Sequence, residues 1–169
     1  SGIAEAIKLS RNFFTSEKIL LLLGDNFFFG NNLDKIITKA LNSSKGASIF
    51  TYKVKNPERY GVLNIQGKKI KGIIEKPKKP TSNKAIPGIY IYKKTALEYV
   101  KKLKPSKRGE LEITDLNNKY FNTNDIEIFD LEDGIVWMDM GTFDSYLEAS
   151  QFIAATEKRQ GFEIYNFKN

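Results

Sequence analysis

The chain has 169 residues, 41% of them hydrophobic and 28% charged, and its 27 basic against 20 acidic side chains give a net charge of +7. It contains no cysteine and no histidine, which excludes disulfides, thiolate nucleophiles, thiolate and imidazole metal sites and imidazole acid–base chemistry. Any catalysis must therefore rest on Asp, Glu, Lys, Arg, Tyr and backbone groups. No apolar run approaches the roughly 20 residues needed to cross a bilayer, so no membrane span is expected. The lysines are scattered in ones and twos, as at Lys68-Lys69 and Lys101-Lys102. That pattern fits a solvated surface that attracts small anions better than a nucleic-acid interface.

The first predicted element is a helix from Ile3 to Leu9, with Gly2 just before it. A run of branched aliphatic residues, Lys18 to Leu23, then predicts a strand buried on both faces, as in a parallel sheet. Phe27-Phe28-Phe29-Gly30 reads as an aromatic turn. Leu33, Ile36, Ile37, Ala40 and Leu41 share one helical face, and Ala47 to Val54 is rich in strand formers. Strand, helix, strand makes a βαβ unit. Next comes a hairpin, Val62–Ile65 and Lys69–Glu75, turning at Gln66-Gly67-Lys68, followed by a basic loop to Lys84. A strand at Gly88–Tyr92, helices at Thr95–Leu103 and Leu111–Phe121, and strands at Asp125–Leu131 and Ile135–Met138 follow. The last helix starts at Thr142, a plausible N-cap, and runs to Gln160 with Gly161 behind it. The whole reads as one α/β domain, residues 1–169, with a mixed, mostly parallel sheet flanked by helices. A start at Ser1 in the middle of a helix suggests part of a longer protein.

Two acidic residues stand out because each closes a short apolar strand. Asp25 follows Leu22-Leu23-Gly24, and Asp139 follows Val136-Trp137-Met138. Strand ends in open α/β sheets are where ligands bind, and Mg²⁺ takes one or two carboxylates plus water and phosphate oxygens. Gly24-Asp25-Asn26 reads equally well as a plain turn, and Asp139 as a residue before a helix cap. Tyr60-Gly61 opens the hairpin and Glu75-Lys76-Pro77 closes it. A glycine there admits a ligand to the backbone, while Glu75 could accept sugar hydroxyls and Lys76 face a phosphate. The alternative is a hairpin with an exposed ion pair. Arg108 to Asp115 is charge-dense and reads equally as a helix start with caps.

Together these stretches resemble bacterial glucose-1-phosphate thymidylyltransferases. The segment Leu23-Gly24-Asp25-Asn26-Phe27-Phe28-Phe29-Gly30 is similar to that family's "LGDNxFxG". Arg59-Tyr60-Gly61-Val62, Glu75-Lys76-Pro77, Arg108-Gly109-Glu110-Leu111-Glu112-Ile113-Thr114-Asp115, Trp137-Met138-Asp139-Met140-Gly141-Thr142 and the closing helix match in the same order. The resemblance implies a Rossmann-like nucleotidyltransferase domain, truncated at its N-terminus, and a cytoplasmic homotetramer. It implies transfer of a thymidylyl group from dTTP to α-D-glucose 1-phosphate in nucleotide-sugar biosynthesis of the dTDP-rhamnose type. By the same resemblance Asp25 and Asp139 hold Mg²⁺, and Gly2 lies against the nucleobase. Tyr60, Gly61, Glu75, Lys76, Gly88, Tyr90, Arg108 and Trp137 line the sugar-nucleotide pocket.

Departures set the alternatives. The family's "GGxGTRLxP" triphosphate loop has no counterpart here, so the chain alone is expected to be inactive. Glu5 stands where the family has glutamine, and Met140 replaces the threonine of "LDTGT". A uridylyl- or cytidylyltransferase, or a non-catalytic sugar-nucleotide-binding domain, stays open. A metal-dependent glycosyltransferase would want an Asp-x-Asp pair, which Asp25-Asn26-Phe27 does not supply.

Overall fold

The computed structural model describes residues 2–131 and 133–164. Strand β7 (Ile89–Lys93) shows why the fold has two cores. Its alternate residues point to opposite faces. Tyr90 and Tyr92 enter a cluster with helices α1 (Ile3–Leu9), α3 (Thr95–Lys101) and α4 (Ile113–Asn122). Ile89 and Ile91 enter a second cluster beneath α2 (Leu33–Leu41). The result is a helix–sheet–helix sandwich around β3 (Ala47–Lys53), whose first five residues are all buried.

The central sheet runs β1 (Lys18–Leu22), β7, β3, β6 (Lys84–Ala85), β4 (Gly61–Gln66), β5 (Lys69–Glu75), with β8 (Ile126–Asp130) also paired to β3. It is mixed, as expected, but the expectation of a mostly parallel sheet needs correcting. The β3–β8 ladder is parallel, and the other described pairings are antiparallel. β1 and β3 do point the same way, as a βαβ unit requires. They are not neighbours, because β7 runs between them in the opposite direction.

Two further expectations change. β1 is not buried on both faces. It pairs with β7 on one side, packs Ile19 and Leu21 on the first core, and leaves Leu20 46% and Leu22 51% exposed. The aromatic segment read as a turn is strand β2 (Asn26–Phe29), which pairs antiparallel with β9 (Val136–Asp139) as a separate ribbon. Helix α5 (Phe143–Gln160) covers that ribbon, with Phe152 edge-on to Phe27 and Phe29 at 6.1 and 5.8 Å. Its termini agree with the sequence. Thr142 and Ser145 form a reciprocal capping box, and Gly161 ends the helix at φ 70°. No helix among the described residues is long and apolar enough to cross a membrane.

The first core is rich in phenols. Tyr92 Oη donates to Asn117 Oδ1 (2.6 Å), and the Tyr120 and Thr95 hydroxyls pair at 2.9 Å. Burial raises the Tyr120 phenol from 10.0 to about 12. It also lifts Tyr90, helped by the Glu75 carboxylate, and Tyr92, helped by Tyr90 and Tyr120. The fold keeps protons that the unfolded chain releases, so this stability is complete below an unfolded phenol's pKa of about 10 and drains away as pH rises towards 12. Urea unfolding midpoints should hold steady from about pH 7 to 9 and drop steeply by about pH 11. An unchanged midpoint at pH 11 would contradict the buried-phenol account.

Candidate active site

The β2–β9 ribbon assembles the site. Its register sets Asn26 opposite Asp139, and the Met140 N–H donates to the Asp25 carbonyl at 2.7 Å. Asp25 and Asp139 are far apart in the chain yet become neighbours at one end of the ribbon. A side chain begun on Gly141 would put its Cβ 3.2 Å from Asp139 Oδ1 and 3.7 Å from Asp25 Oδ2. Both carboxylates therefore converge over the Gly141 backbone. Asp25 is exposed and Asp139 half-buried, so both stay open to a ligand.

They stand at one end of a cleft of about 240 Å³ that runs between the ribbon, the β4–β5 hairpin and the start of α4. Tyr60, Gly61, Glu75, Lys76, Gly88, Tyr90, Arg108 and Trp137 line it. Gly2 is the exception. The neighbouring Ile3 reaches the cleft, whereas Gly2 packs on Leu111, where a Cβ would meet the backbone oxygen at 2.6 Å. Its glycine is needed for that close approach at φ 125°.

The hairpin positions one wall. Gly61 pairs with Glu75 across the strands, and the Lys76 N–H returns to the Tyr60 carbonyl at 3.0 Å. Lys76 holds a left-handed backbone, φ 42°, a conformation that costs of order 1 kcal/mol and recurs at binding sites. Glu75 Oε2 accepts from the buried Thr114 hydroxyl, while its other oxygen lies 3.8 Å from Arg108 Nη1. Arg108 also approaches Glu110 at 3.2 Å and Glu112 at 3.7 Å, so its charge is shared among carboxylates. The Tyr60 ring at the hairpin end and the Trp137 ring of the ribbon meet at 5.0 Å. Burial raises the Tyr60 phenol, which keeps it a neutral donor.

Sequence reasoning named neither Asn26, Arg59 nor Thr114 as a site residue. Arg59 Nη2 lies 4.0 Å from Asp139 Oδ2, a cation beside one of the two aspartates. Its adjacency to Tyr60-Gly61 was the available signal. Thr114 sits inside the Arg108–Asp115 stretch, whose charged residues also read as a helix start with caps. Asn26 follows Asp25 directly. Its Nδ2 donates to Asp25 Oδ1 at 2.8 Å, and its Oδ1 accepts from the Gly88 N–H at 2.9 Å and from Trp137 Nε1 at 2.7 Å.

The metal question can be put to these residues. Among the described residues no three acidic side chains gather into a closed cage. Two hard carboxylates opening on a cleft with cationic neighbours nonetheless fit a Mg²⁺ that completes its shell with phosphate and water oxygens.

The Nucleotidyl transferase family model matches residues 1–156. The chain belongs to the nucleotidyl transferase family. It is 43% identical over 164 residues to the glucose-1-phosphate thymidylyltransferase of Xanthomonas campestris, covering 96% of this chain and 56% of that protein. The Mycobacterium tuberculosis enzyme of the same name is 39% identical, again covering 96% of this chain and 57% of the relative. A candidate glucose-1-phosphate thymidylyltransferase of Bacillus anthracis, solved in complex with sucrose, superposes with a TM-score of 0.81 at 37% identity, over 100% of this chain and 64% of that one. A UDP-glucose pyrophosphorylase complexed with UDP-glucose shares the Rossmann-like fold, with a TM-score of 0.79 at 23% identity, over 94% of this chain and 63% of that one. The chain thus spans a little over half the length of the curated relatives it matches.

The contacts of Glu75 rank its supports. Thr114→Val removes a buried donor to a charged acceptor and should cost about 1.5–3 kcal/mol in urea unfolding. Arg108 is itself 45% exposed, so Arg108→Ala removes partly solvated ion pairs and should cost about 1 kcal/mol or less, and less still in high salt. The reverse order would mean that Arg108, not Thr114, holds Glu75.

Proposed function

We propose that this chain is the sugar- and metal-binding part of a glucose-1-phosphate thymidylyltransferase. The whole protein would transfer a thymidylyl group from dTTP to α-D-glucose 1-phosphate and release pyrophosphate. The observation that carries this reading is the convergence of Asp25 and Asp139 over Gly141, at the end of a cleft walled by Glu75, Tyr60 and Trp137. The resemblance to thymidylyltransferases at 43% identity supports the choice of reaction.

In this reading Glu75 accepts hydrogen bonds from sugar hydroxyls, and Thr114 keeps its carboxylate aimed into the cleft. Tyr60 and Trp137 give the sugar an apolar wall. Arg59, Lys76 and Arg108 face the phosphates. A phosphate oxygen of the sugar attacks the α-phosphorus in line, and the bond to the β-phosphate oxygen breaks as pyrophosphate leaves. Such a transfer rests on positioning and charge neutralisation, which a chain without histidine or cysteine can supply. Mg²⁺ between Asp25 and Asp139 would add Lewis-acid neutralisation of the phosphates. The same reading carries a cytoplasmic homotetramer feeding dTDP-rhamnose-type biosynthesis, on the strength of family resemblance.

The test is pyrophosphate release by the longest gene product that contains this chain, with dTTP or UTP, glucose 1-phosphate and Mg²⁺. Turnover should need the metal and favour dTTP. Asp25→Asn and Asp139→Asn should each abolish it while the protein stays folded, and retained activity in either would break the metal assignment. Gly61→Ala gives an independent check, since its Cβ would stand 3.1 Å from Thr114 Oγ1 and 3.3 Å from Glu75 Oε2. It should weaken glucose 1-phosphate binding about tenfold or more, a loss of about 1.4 kcal/mol, and move the melting temperature by less than about 3 °C. Unchanged binding would remove that strand from the sugar pocket.

A further inference from the structure

The Asn26 side chain makes more contacts than a turn residue needs, and each ends on a different part of the site. Its Oδ1 accepts from the Gly88 N–H at the entrance to β7 and from the Trp137 indole in β9. Two N–H donors on one oxygen settle the orientation of the amide, because a flipped amide would turn its own N–H groups against them. The Nδ2 group is thereby aimed at Asp25 Oδ1. Holding that oxygen leaves Oδ2 as the Asp25 oxygen on the Gly141 side, where Asp139 Oδ1 also lies. Gly88 leaves the space this needs, since a Cβ there would lie 2.8 Å from Asn26 Oδ1.

We propose that Asn26 is a positioning residue for nucleotidyl transfer, fixing the rotation of the Asp25 carboxylate against Asp139 through an amide clamped by Gly88 and Trp137. This rests on the reading of Asp25 and Asp139 as the metal-holding pair. Residues that orient a metal-holding side chain from behind are typically worth about 10- to 100-fold in metal affinity or activity.

Asn26→Asp is the decisive variant. It keeps an oxygen for Gly88 and Trp137 and replaces the donor to Asp25 with a second acceptor. Expected are a kcat about 10- to 100-fold lower, a changed Mg²⁺ concentration for half-maximal rate, an unchanged KM for glucose 1-phosphate and a melting temperature within about 3 °C. Asn26→Ala, which also strands two N–H donors, should lose both turnover and several degrees of melting temperature. Wild-type kcat and Mg²⁺ dependence in Asn26→Asp would overturn the proposal. Early melting of Asn26→Asp to the same extent as Asn26→Ala would also overturn it, by making the amide purely structural. Asp25→Asn and Asp139→Asn, measured alongside, separate the two claims. If they are inactive while Asn26→Asp is not, the positioning role alone fails, and if they are active the metal reading itself fails.

Discussion

The hydrogen bond from Met140 N–H to the Asp25 carbonyl, with the ladder that follows it from Asn26–Asp139 to Phe29–Val136, is the contact the site depends on. Neither aspartate could find the other from its own local structure. Asp25 leaves the edge strand β1 and Asp139 ends a strand more than 100 residues later. The ribbon removes that separation by pairing backbone to backbone, and α5 keeps the ribbon in place by packing the half-buried Phe152 edge-on against the buried Phe27. The central sheet then contributes the opposite wall through the hairpin and Gly88. The cleft is thus the seam between a two-stranded ribbon and a larger sheet. Polar residues can gather there without being buried among the cores.

Where the fold was legible in the sequence, the signals were local. Leu33, Ile36, Ile37 and Ala40 announce α2 by spacing alone, and Thr142 and Gly161 mark the ends of α5 by capping chemistry. What stayed hidden depended on distant partners. Phe27-Phe28-Phe29 has no period of its own, and only pairing with Val136–Met138 makes it a strand. The aliphatic run of β1 suggested burial on both faces, but burial depends on what lies beside a strand, and Leu20 and Leu22 stay half-exposed. The parallel expectation failed for the same reason. Nothing in β1 or β3 reveals that β7 enters between them.

The site was legible to a greater degree because its residues travel in short motifs. Tyr60-Gly61 and Glu75-Lys76 are joined across one hairpin, so the sequence order already brings them together. Gly2 has a structural reason of its own, since its positive φ and the close Leu111 backbone require a glycine whether or not a ligand is near. Asn26, Arg59 and Thr114 went unnamed because each acts on a neighbour's carboxylate, a role that residue type alone does not reveal. In a chain without histidine or cysteine, the orientation of carboxylates decides what the site can do.

The most direct test is whether the aspartate pair binds a divalent ion at the ribbon. Trp137 is the single tryptophan of this chain, and its indole N–H touches Asn26, which in turn touches Asp25. Titrating Mn²⁺, a paramagnetic substitute for Mg²⁺, should broaden the Trp137 indole resonance in an NMR spectrum of the ¹⁵N-labelled protein. The broadening should be reversed by excess Mg²⁺ and lost in Asp25→Asn and Asp139→Asn. An indole signal that ignores Mn²⁺, or broadens equally in both variants, would contradict the account.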